Sequence, residues 1–262
     1  MTQLPVPVPA RLEVIAIPGL PMVRAGDDLV SLVDQALGAA GLELRDRDVV
    51  VFAQKIVSKS EGRSVELATV EPSQRAREIA ARVLKDPRLV ELVLRESKRI
   101  VREMPGVLIV EHVLGMIMAN AGIDQSNVAD PAGGERALLL PVDPDGSAER
   151  LRRGLTERYG CQIAVIINDS FGRPWRLGTV GVALGCAGLP ALLDMRGMPD
   201  LFGRILRVTV IAYADEIAAT ASLLMGQGRE GRPVIIVRGL DANGPPLPAA
   251  SILRAPRDDL FQ

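Results

Sequence analysis

Residues Ile163 to Ile167 form an unbroken apolar run, Ile-Ala-Val-Ile-Ile, followed directly by Asn168, Asp169 and Ser170. A run of that length, rich in β-branched residues, is expected to be a buried strand. It should end at the polar trio, because Gly172 and Pro174 follow and break regular structure. An oxygen-rich corner at the end of a buried strand suits chemistry, since the strand fixes it while the loop exposes it. Asp169 and Ser170 can hold a hard divalent cation, and Arg173 and Arg176 can hold an anion. The same residues also read as a strand closed by a polar turn. Density favours the first reading: the lone tryptophan, Trp175, lies among these arginines with Gly172, Pro174 and Gly178.

The rest of the chain limits what that corner can serve. With 262 residues the chain can bury roughly 70% of its unfolded surface. Aromatics make up only 3%, so the core must be built from Val, Leu, Ile, Ala and Met. The net charge is −1, and no block of Lys and Arg stands apart from acidic neighbours, which argues against nucleic acid or an anionic membrane as partner. Cys161 and Cys186 lack metal-type spacing and read as buried free thiols of a reducing cytosol. Residues 1–10 have neither a charged start nor an apolar core, so no signal peptide is expected, and no run is long enough to span a bilayer. A cytoplasmic location is the expectation.

In chain order, Leu12 to Ile17 reads as a strand closed by the stiff turn Pro18-Gly19-Leu20-Pro21, either a connector or a place where free amides approach a ligand. Asp27 or Asp28 can cap a helix through Leu29, Val33 and Leu37 that ends near Gly41. Asp48 to Ala53 is a second buried strand, followed by Gln54, Lys55 and, after three residues, Lys59. A lysine there can reach phosphate oxygens or simply sit in a solvated loop. Ser73 and Asp86-Pro87 open two helical stretches, through Ile79, Val83 and Leu84 and through Leu89, Val90, Val93 and Leu94. Val107–Val110 and Leu114–Met118 look like a strand pair carrying His112, the lone histidine, which reads as structural.

A second oxygen-rich corner runs from Ala119 to Asn127. Asp124 and Asn127 are close enough for one turn to present both to a ligand, or for one to cap the turn. A Gly-rich loop, Asp130 to Arg136, and a short strand, Leu138 to Pro141, come next, then a helix starting at Asp145-Gly146-Ser147. Val180–Leu184 and Ile205–Ala212 read as strands, and Asp215 and Glu216 begin a helix ending at Leu224-Met225. The loop Gly226-Gln227-Gly228-Arg229-Glu230-Gly231-Arg232 is dense in glycine. Its amides can converge on an anion, or it can be a plain helix C-cap and turn. Val234–Val237 is a last strand, and the Pro-rich tail after Gly239 is expected on the surface. No internal repeat is present, so any two subdomains must be interwoven.

These motifs resemble the coenzyme F420-0:γ-glutamyl ligase family. The likeness is carried in the same order by Gly19-Leu20-Pro21, Gly26 to Leu29, Ser58 to Arg63, Ala119 to Asp124, Asp169 to Arg176 and Asp194 to Gly197. It runs from about Pro18 to Gly239 and implies a single ligase domain over residues 1–262, with a core of about 12–240 and peripheral tails. The implied fold class is α+β, a mixed fold of two interwoven α+β subdomains, working as an intertwined homodimer. The implied reaction forms an amide between L-glutamate and a deazaflavin precursor, with GTP as co-substrate, two divalent cations (Mg²⁺ or Mn²⁺) and a monovalent cation, K⁺. Further γ-linked glutamates would follow.

Carried over by residue, the resemblance makes Asp124, Asp169, Ser170 and Gln227 metal ligands, and Lys59, Asp124 and Asp169 catalytic. It places the nucleotide against Pro18, Gly19, Leu20, Pro21, Gln54, Lys55, Lys59, Asn127 and the loop of Met225, Gly226, Gln227, Gly228, Arg229, Glu230, Gly231 and Arg232. Gln54-Lys55 departs from the small hydroxyl pair of some relatives. A carboxylate becomes reactive toward an amine once phosphorylated, and phosphoryl transfer asks for positioning and charge neutralisation rather than a covalent nucleophile. No Ser-His-Asp or Cys-His set is apparent. Two other readings stay open: a ligase joining an amino acid to another carboxylate, and a non-catalytic GTP-binding regulatory subunit. The partners in either case are small molecules and a second copy of the chain.

Overall fold

A computed structural model of the chain describes residues 11–128, 134–240 and 244–259. The first half contains β1 (Glu13–Ala16), α1 (Leu29–Ala40), β2 (Val49–Ala53), α2 (Gln54–Ser60), β3 (Ser64–Glu66), α3 (Gln74–Val83) and α4 (Pro87–Arg95). Next come β4 (Ser97–Met104), β5 (Val107–His112), β6 (Ile117–Ala119), β7 (Arg136–Leu138) and α5 (Pro144–Tyr159). The last part holds β8 (Ala164–Arg173), β9 (Arg176–Ala187), β10 (Leu193–Asp194), β11 (Val210–Ile211), α6 (Tyr213–Met225) and β12 (Val234–Arg238). The described residues form a mixed α and β architecture with six α-helices, as expected of an α+β protein.

The main sheet has the order β1-β12-β2-β8-β9, and β2 with β8 is its parallel pair. Its apolar runs do not alternate with polar residues because helices cover both faces. Val50, Phe52, Val165, Ile167 and Ile236 point toward Val33 and Leu37 of α1 and Leu151 and Leu155 of α5. Val49, Val51, Ala164, Ile166 and Ile235 point the other way, onto Ala214, Ile217, Ala218 and Ala221 of α6. Truncating a fully buried residue such as Ile166 to Ala should cost roughly 2–5 kcal/mol. A second core lies where α3 and α4 cover β5, through Ile79, Val83, Val90, Val93, Leu108 and Val110.

Alanine on α6 allows it to lie very close to β9. A Cβ at Gly181 would stand 2.1 Å from Ser222 Oγ and 2.6 Å from the Ala218 carbonyl oxygen. Glycine is therefore required there by contact.

Helix boundaries follow the sequence reading closely. Asp28 caps α1 and Gly41 closes it with φ +64°, while Ser73 and Asp86 cap α3 and α4. Helix α5 starts earlier than expected: Pro144 is its first residue, and Asp143, not Asp145, caps it by accepting from Gly146 N at 3.0 Å. Gln54 to Lys59, read as following the strand without assigned structure, belong to α2, which begins directly where β2 ends.

Several strand expectations need correction. The central strand does not stop at Ile167. It continues through Asn168, Asp169 and Ser170 to Arg173, paired with β9 in a hairpin whose register shifts between Ile167 and Asn168. The ladder to β9 satisfies the backbone there, so polar side chains do not end the strand. The turn falls on Pro174 and Trp175, whose φ is +66°. Val180–Leu184 is thus the middle of the much longer β9. Ile205–Ala212 is regular strand only at Val210–Ile211, which pairs with β10, apart from one isolated bridge between Ile205 and Pro199. The short strand near Leu138 ends rather than starts there. Strand β4 was missed since it is a charged edge, with Lys98, Arg99, Arg102 and Glu103 along it. Of the expected Gly-rich loop from Asp130 to Arg136, residues 130–133 lie outside the described residues, as does the expected leaderless start at 1–10.

His112 is buried at the end of β5, where its Nδ1 accepts from Leu114 N at 3.0 Å and its Nε2 lies 3.7 Å from Glu96. Both cysteines are free and buried. No helix among the described residues is long and apolar enough to cross a membrane.

Candidate functional site

Strands β2 and β8 run parallel, and their pairing ends with Ala53 opposite Asn168 while β8 continues to Arg173. Their carboxyl ends open a crevice of the kind in which mixed α/β sheets bind ligands. Four separate segments reach it: α2 after β2, the turn before Asp124, the start of the β8–β9 hairpin, and the loop after α6.

The turn carrying Asp124 is conformationally unusual. Asn120, Ala121 and Gly122 have φ of +52°, +53° and +67° in succession. Two left-handed non-glycine residues cost on the order of 1 kcal/mol or more each, a type of strain that clusters at functional sites. The turn is held by packing, since a Cβ on Gly122 would come within 2.9 Å of Leu140 and Met118. It is also held by mutual backbone bonds between Asp124 and Leu138, at 3.0 and 2.8 Å.

The Asp124 carboxylate pairs with the Lys55 ammonium, each side chain about 30% exposed. Its Oδ1 also accepts from Ser126 N at 2.6 Å. Burial pushes this carboxyl up, but Lys55 and the Ser126 amide outweigh it and hold the group below the usual carboxylate range. Asp169 keeps some exposed surface as a residue, yet its carboxyl group is interior. That burial pushes the carboxyl up to about 6, opposed by the Ser170 amide and Lys55 and reinforced by Asp124. Asp169 Oδ1 accepts from Ser170 N at 2.8 Å. Two carboxylates and one lysine thus share the crevice.

Around them sit further polar groups. Ser170 Oγ donates to Gln227 Oε1 at 2.7 Å, joining hairpin to loop. Lys59 Nζ donates to the Asn127 carbonyl oxygen at 2.8 Å, and Asn127 Nδ2 donates to the Gly228 carbonyl oxygen at 3.3 Å. Burial, with help from Lys55, lowers the Lys59 ammonium below its ordinary range. In the loop, Glu230 Oε2 accepts from Gly228 N at 2.8 Å, so an acidic side chain occupies an amide that an anion could use. Arg229 and Arg232 are exposed there.

The structure thus brings together Lys55, Lys59, Asp124, Asn127, Asp169, Ser170, Gln227 and Gly228 through these contacts. Other expected residues are placed differently. Gln54 is buried in α2, and its amide donates to Ser58 Oγ at 2.7 Å. Pro18, Gly19 and Pro21 are exposed after β1, with Gly19 at φ +78°, and the following chain returns to α2 where Gly26 N donates to Ser60 O at 2.9 Å. Met225 is half-buried, its Sδ 3.4 Å from Asn168 Nδ2. Arg173 is drawn to its own hairpin, donating to the Gly178 carbonyl oxygen at 3.2 Å.

Asn168 was read only as the end of a strand. It is buried, and its Nδ2 also donates to Ser222 Oγ at 3.1 Å, which ties the last turn of α6 to the central strand. The loop that starts at Met225 therefore hangs from Asn168. A buried amide at the first polar position after an apolar run was the available signal.

Among the described residues no three His, Cys, Asp or Glu side chains gather at one point. The donor set is instead two carboxylates, a hydroxyl and an amide oxygen, all hard oxygen ligands of the kind Mg²⁺ or Mn²⁺ takes together with water. The interior Asp169 carboxyl also has no salt-bridge partner as close as the lysine on Asp124. The residues fit a divalent cation. Beside it, the two lysines and the loop amides can receive phosphate oxygens.

Comparison with known proteins matches residues 19–239 to the model of the family described as F420-0:Gamma-glutamyl ligase. A coenzyme F420:L-glutamate ligase of Methanothermobacter thermautotrophicus is 49% identical over 87% of this chain and 89% of its own. One of Methanopyrus kandleri is 46% identical over 92% and 93% of the two chains. One of Haloarcula marismortui is 44% identical over 96% of each.

Proposed function

The chain belongs to the F420-0:γ-glutamyl ligase family, and from that premise we propose that it joins L-glutamate to the deazaflavin precursor of coenzyme F420 by a GTP-dependent amide-forming reaction. The observation that carries this reading is the meeting of Lys55, Lys59, Asp124, Asp169, Ser170 and Gln227 where the parallel pairing of β2 and β8 ends. Those are the groups a phosphoryl transfer needs.

In the proposed sequence, a carboxylate oxygen of the precursor attacks the γ-phosphorus of GTP, the bond to the bridging oxygen breaks, and GDP leaves. The resulting acyl phosphate is attacked at its carbonyl carbon by the amine of glutamate. The amide forms, inorganic phosphate departs with the bonding pair, and the amine proton passes to solvent. Lys59, and the amides of Gly226 to Gly231, would hold and neutralise the phosphates, while Asn127 keeps Lys59 and the loop in register. Asp124, Asp169, Ser170 and Gln227 would hold the divalent cations, which when bound supply positive charge to the phosphate oxygens. Lys55, paired with Asp124, takes up one of the two carboxylate charges and so stands closer to the cation site than to a phosphate. Glu230 must leave the Gly228 amide before a phosphate can use it.

A homodimer in the cytoplasm is part of the same reading. Leu177 and Leu201 are 100% exposed and Phe202 94% exposed, at the hairpin tip and on the segment between β10 and β11. Apolar side chains standing free on two projecting arms support a second copy as their cover. Sedimentation at micromolar concentration should give a dimer; a lone monomer would count against it.

The enzyme test is an incubation with GTP, Mg²⁺, glutamate and the precursor, read by mass spectrometry. The expected result is a gain of one or more glutamyl units, dependent on all four components, with GDP formed. Glutamylation of a different carboxylic acid alone would point to the broader ligase class. GTP binding with no turnover would point to a regulatory subunit.

A further inference from the structure

The loop after α6 already holds an anion of its own. Glu230 is exposed, yet its side chain turns back along the loop, where Oε2 accepts from Gly228 N at 2.8 Å. The carboxylate lies against the bare Cα of Gly226: a Cβ there would stand 2.2 Å from Glu230 Cδ and 2.5 Å from Oε2. Its own backbone amide, then that of Gly228, hold this carboxyl below the ordinary range against the cost of burial, and Arg232 adds to their effect. Backbone amides that gather on a carboxylate in a glycine-rich turn are equally suited to gather on a phosphate oxygen.

The backbone around that amide is fixed without Glu230. On one side, Gln227 Oε1 accepts from Ser170 Oγ at 2.7 Å, which ties the loop to the hairpin. On the other, the Gly228 carbonyl oxygen accepts from Asn127 Nδ2 at 3.3 Å, and the Asn127 carbonyl oxygen accepts from Lys59 Nζ at 2.8 Å. The Gly228 amide therefore stays aimed when the carboxylate leaves it. Letting go also returns rotamer freedom to a long, exposed side chain. The contact is thus one that an incoming anion can replace without rebuilding the loop.

Resting on the proposed reading of this loop as a phosphate cradle, we infer that Glu230 is a built-in competitor, whose carboxylate fills the loop amides until a phosphate displaces it. A tethered competitor raises the apparent Kd of any ligand that needs the Gly228 amide, by the ratio of blocked to open loop. A lone phosphate has few other contacts and is held weakly as a result. A nucleotide, gripped also by Lys59 and by cations, still binds. The same contact lowers retention of the inorganic phosphate that the proposed reaction leaves behind, since the carboxylate returns to the amide the product vacates.

The test is calorimetric titration of the whole protein with two probes, inorganic phosphate alone and GDP with Mg²⁺, in the absence of precursor and glutamate. No turnover is then needed. Glu230→Ala removes the competitor and should bind both probes about tenfold more tightly than the wild type. Glu230→Gln keeps a neutral acceptor of the same length and should fall between the two, because an uncharged oxygen holds an N–H less firmly. Melting temperature should match the wild type in both variants, since the bond removed is exposed and local to the loop.

Wild-type affinities in both variants overturn the inference, even if the wild-type protein ligates glutamate. Weaker GDP binding in the variants overturns it too, and makes Glu230 a contact of the nucleotide. Failure of all three proteins to bind either probe overturns it together with the loop's role as a cradle. The graded gain in affinity upholds it, even if no ligation is found and the ligase reading falls.

Discussion

Two ion pairs show how differently this chain treats charge. Asp48 has no exposed surface, and Arg238 reaches it with Nε to Oδ1 and Nη2 to Oδ2, both at 2.8 Å. Arg45 N adds a further bond at 2.8 Å to Oδ2. Both oxygens are filled in a planar fork, and the aspartate raises the guanidinium's pKa from its ordinary value. In the crevice, one ammonium, Lys55, serves Asp124, while Asp169 lies nearby and, among the described residues, accepts from its neighbour's amide alone. The first pair joins β12 to the approach of β2 and leaves no group unmet. The second leaves carboxylate, hydroxyl and amide oxygens facing one another. A closed network serves the fold, and an unbalanced one held by a rigid sheet is available for a ligand.

Removing one carboxylate from each should break them apart most clearly. Asp169→Ala is expected to reduce ligation by roughly 10³-fold or more with melting temperature unchanged or raised, because a buried carboxyl without a close counter-charge is removed. A folded variant with normal turnover would overturn its role. Asp48→Ala should do the reverse, costing roughly 3 kcal/mol in urea unfolding by removing the buried partner of Arg238, which keeps only Glu13 at 4.0 Å and the Glu43 carbonyl oxygen, with kcat of the folded enzyme retained. Equal loss of kcat in both variants would erase the distinction.

Gly228→Val sharpens the comparison at the loop. The space at Gly228 admits a Cβ, with Glu230 the nearest atom at 3.5 Å, so stability should hold while GTP affinity falls about tenfold through blocked backbone approach. Unchanged affinity would withdraw the loop from the site. Asn168→Ala should act more mildly, raising KM for GTP several-fold by releasing the last turn of α6, with KM for glutamate unchanged. A uniform loss of stability without that split would make Asn168 a plain core residue.

The smallest effect concerns a second buried charge cluster. His112, against the opposing cost of burial and with help from Arg63, holds the Glu96 carboxyl below its ordinary range. Its contribution is therefore present above about pH 4.5 and is lost as pH falls through the lowered value in the folded state. Glu96→Gln should lower stability at pH 6 and give a shallower decline on acidification; an unchanged acid limb would remove Glu96 from that balance.

What could be read in the chain was what lies close together along it. Helix caps at Asp28, Ser73 and Asp86 are local hydrogen bonds, and the apolar runs of β2, β8 and β12 announce burial whatever covers them. The charged edge β4 and the long hairpin could not be read that way, because their backbones are satisfied by strands whose own residues say nothing of the pairing. The site divides along the same line. Asp124, Asp169 and the loop after Met225 were legible as polar punctuation after apolar elements. That Lys55 pairs with Asp124, that Gln54 turns inward and that Asn168 ties down α6 depend on side chains between 4 and 69 residues apart. Sequence alone settled the helix caps, the buried apolar strands and the oxygen-bearing corners, since those follow from local bonding and periodicity. Tertiary structure alone decided which corners meet, because pairing β2 beside β8 and seating α6 on Gly181 depend on contacts that no local stretch encodes.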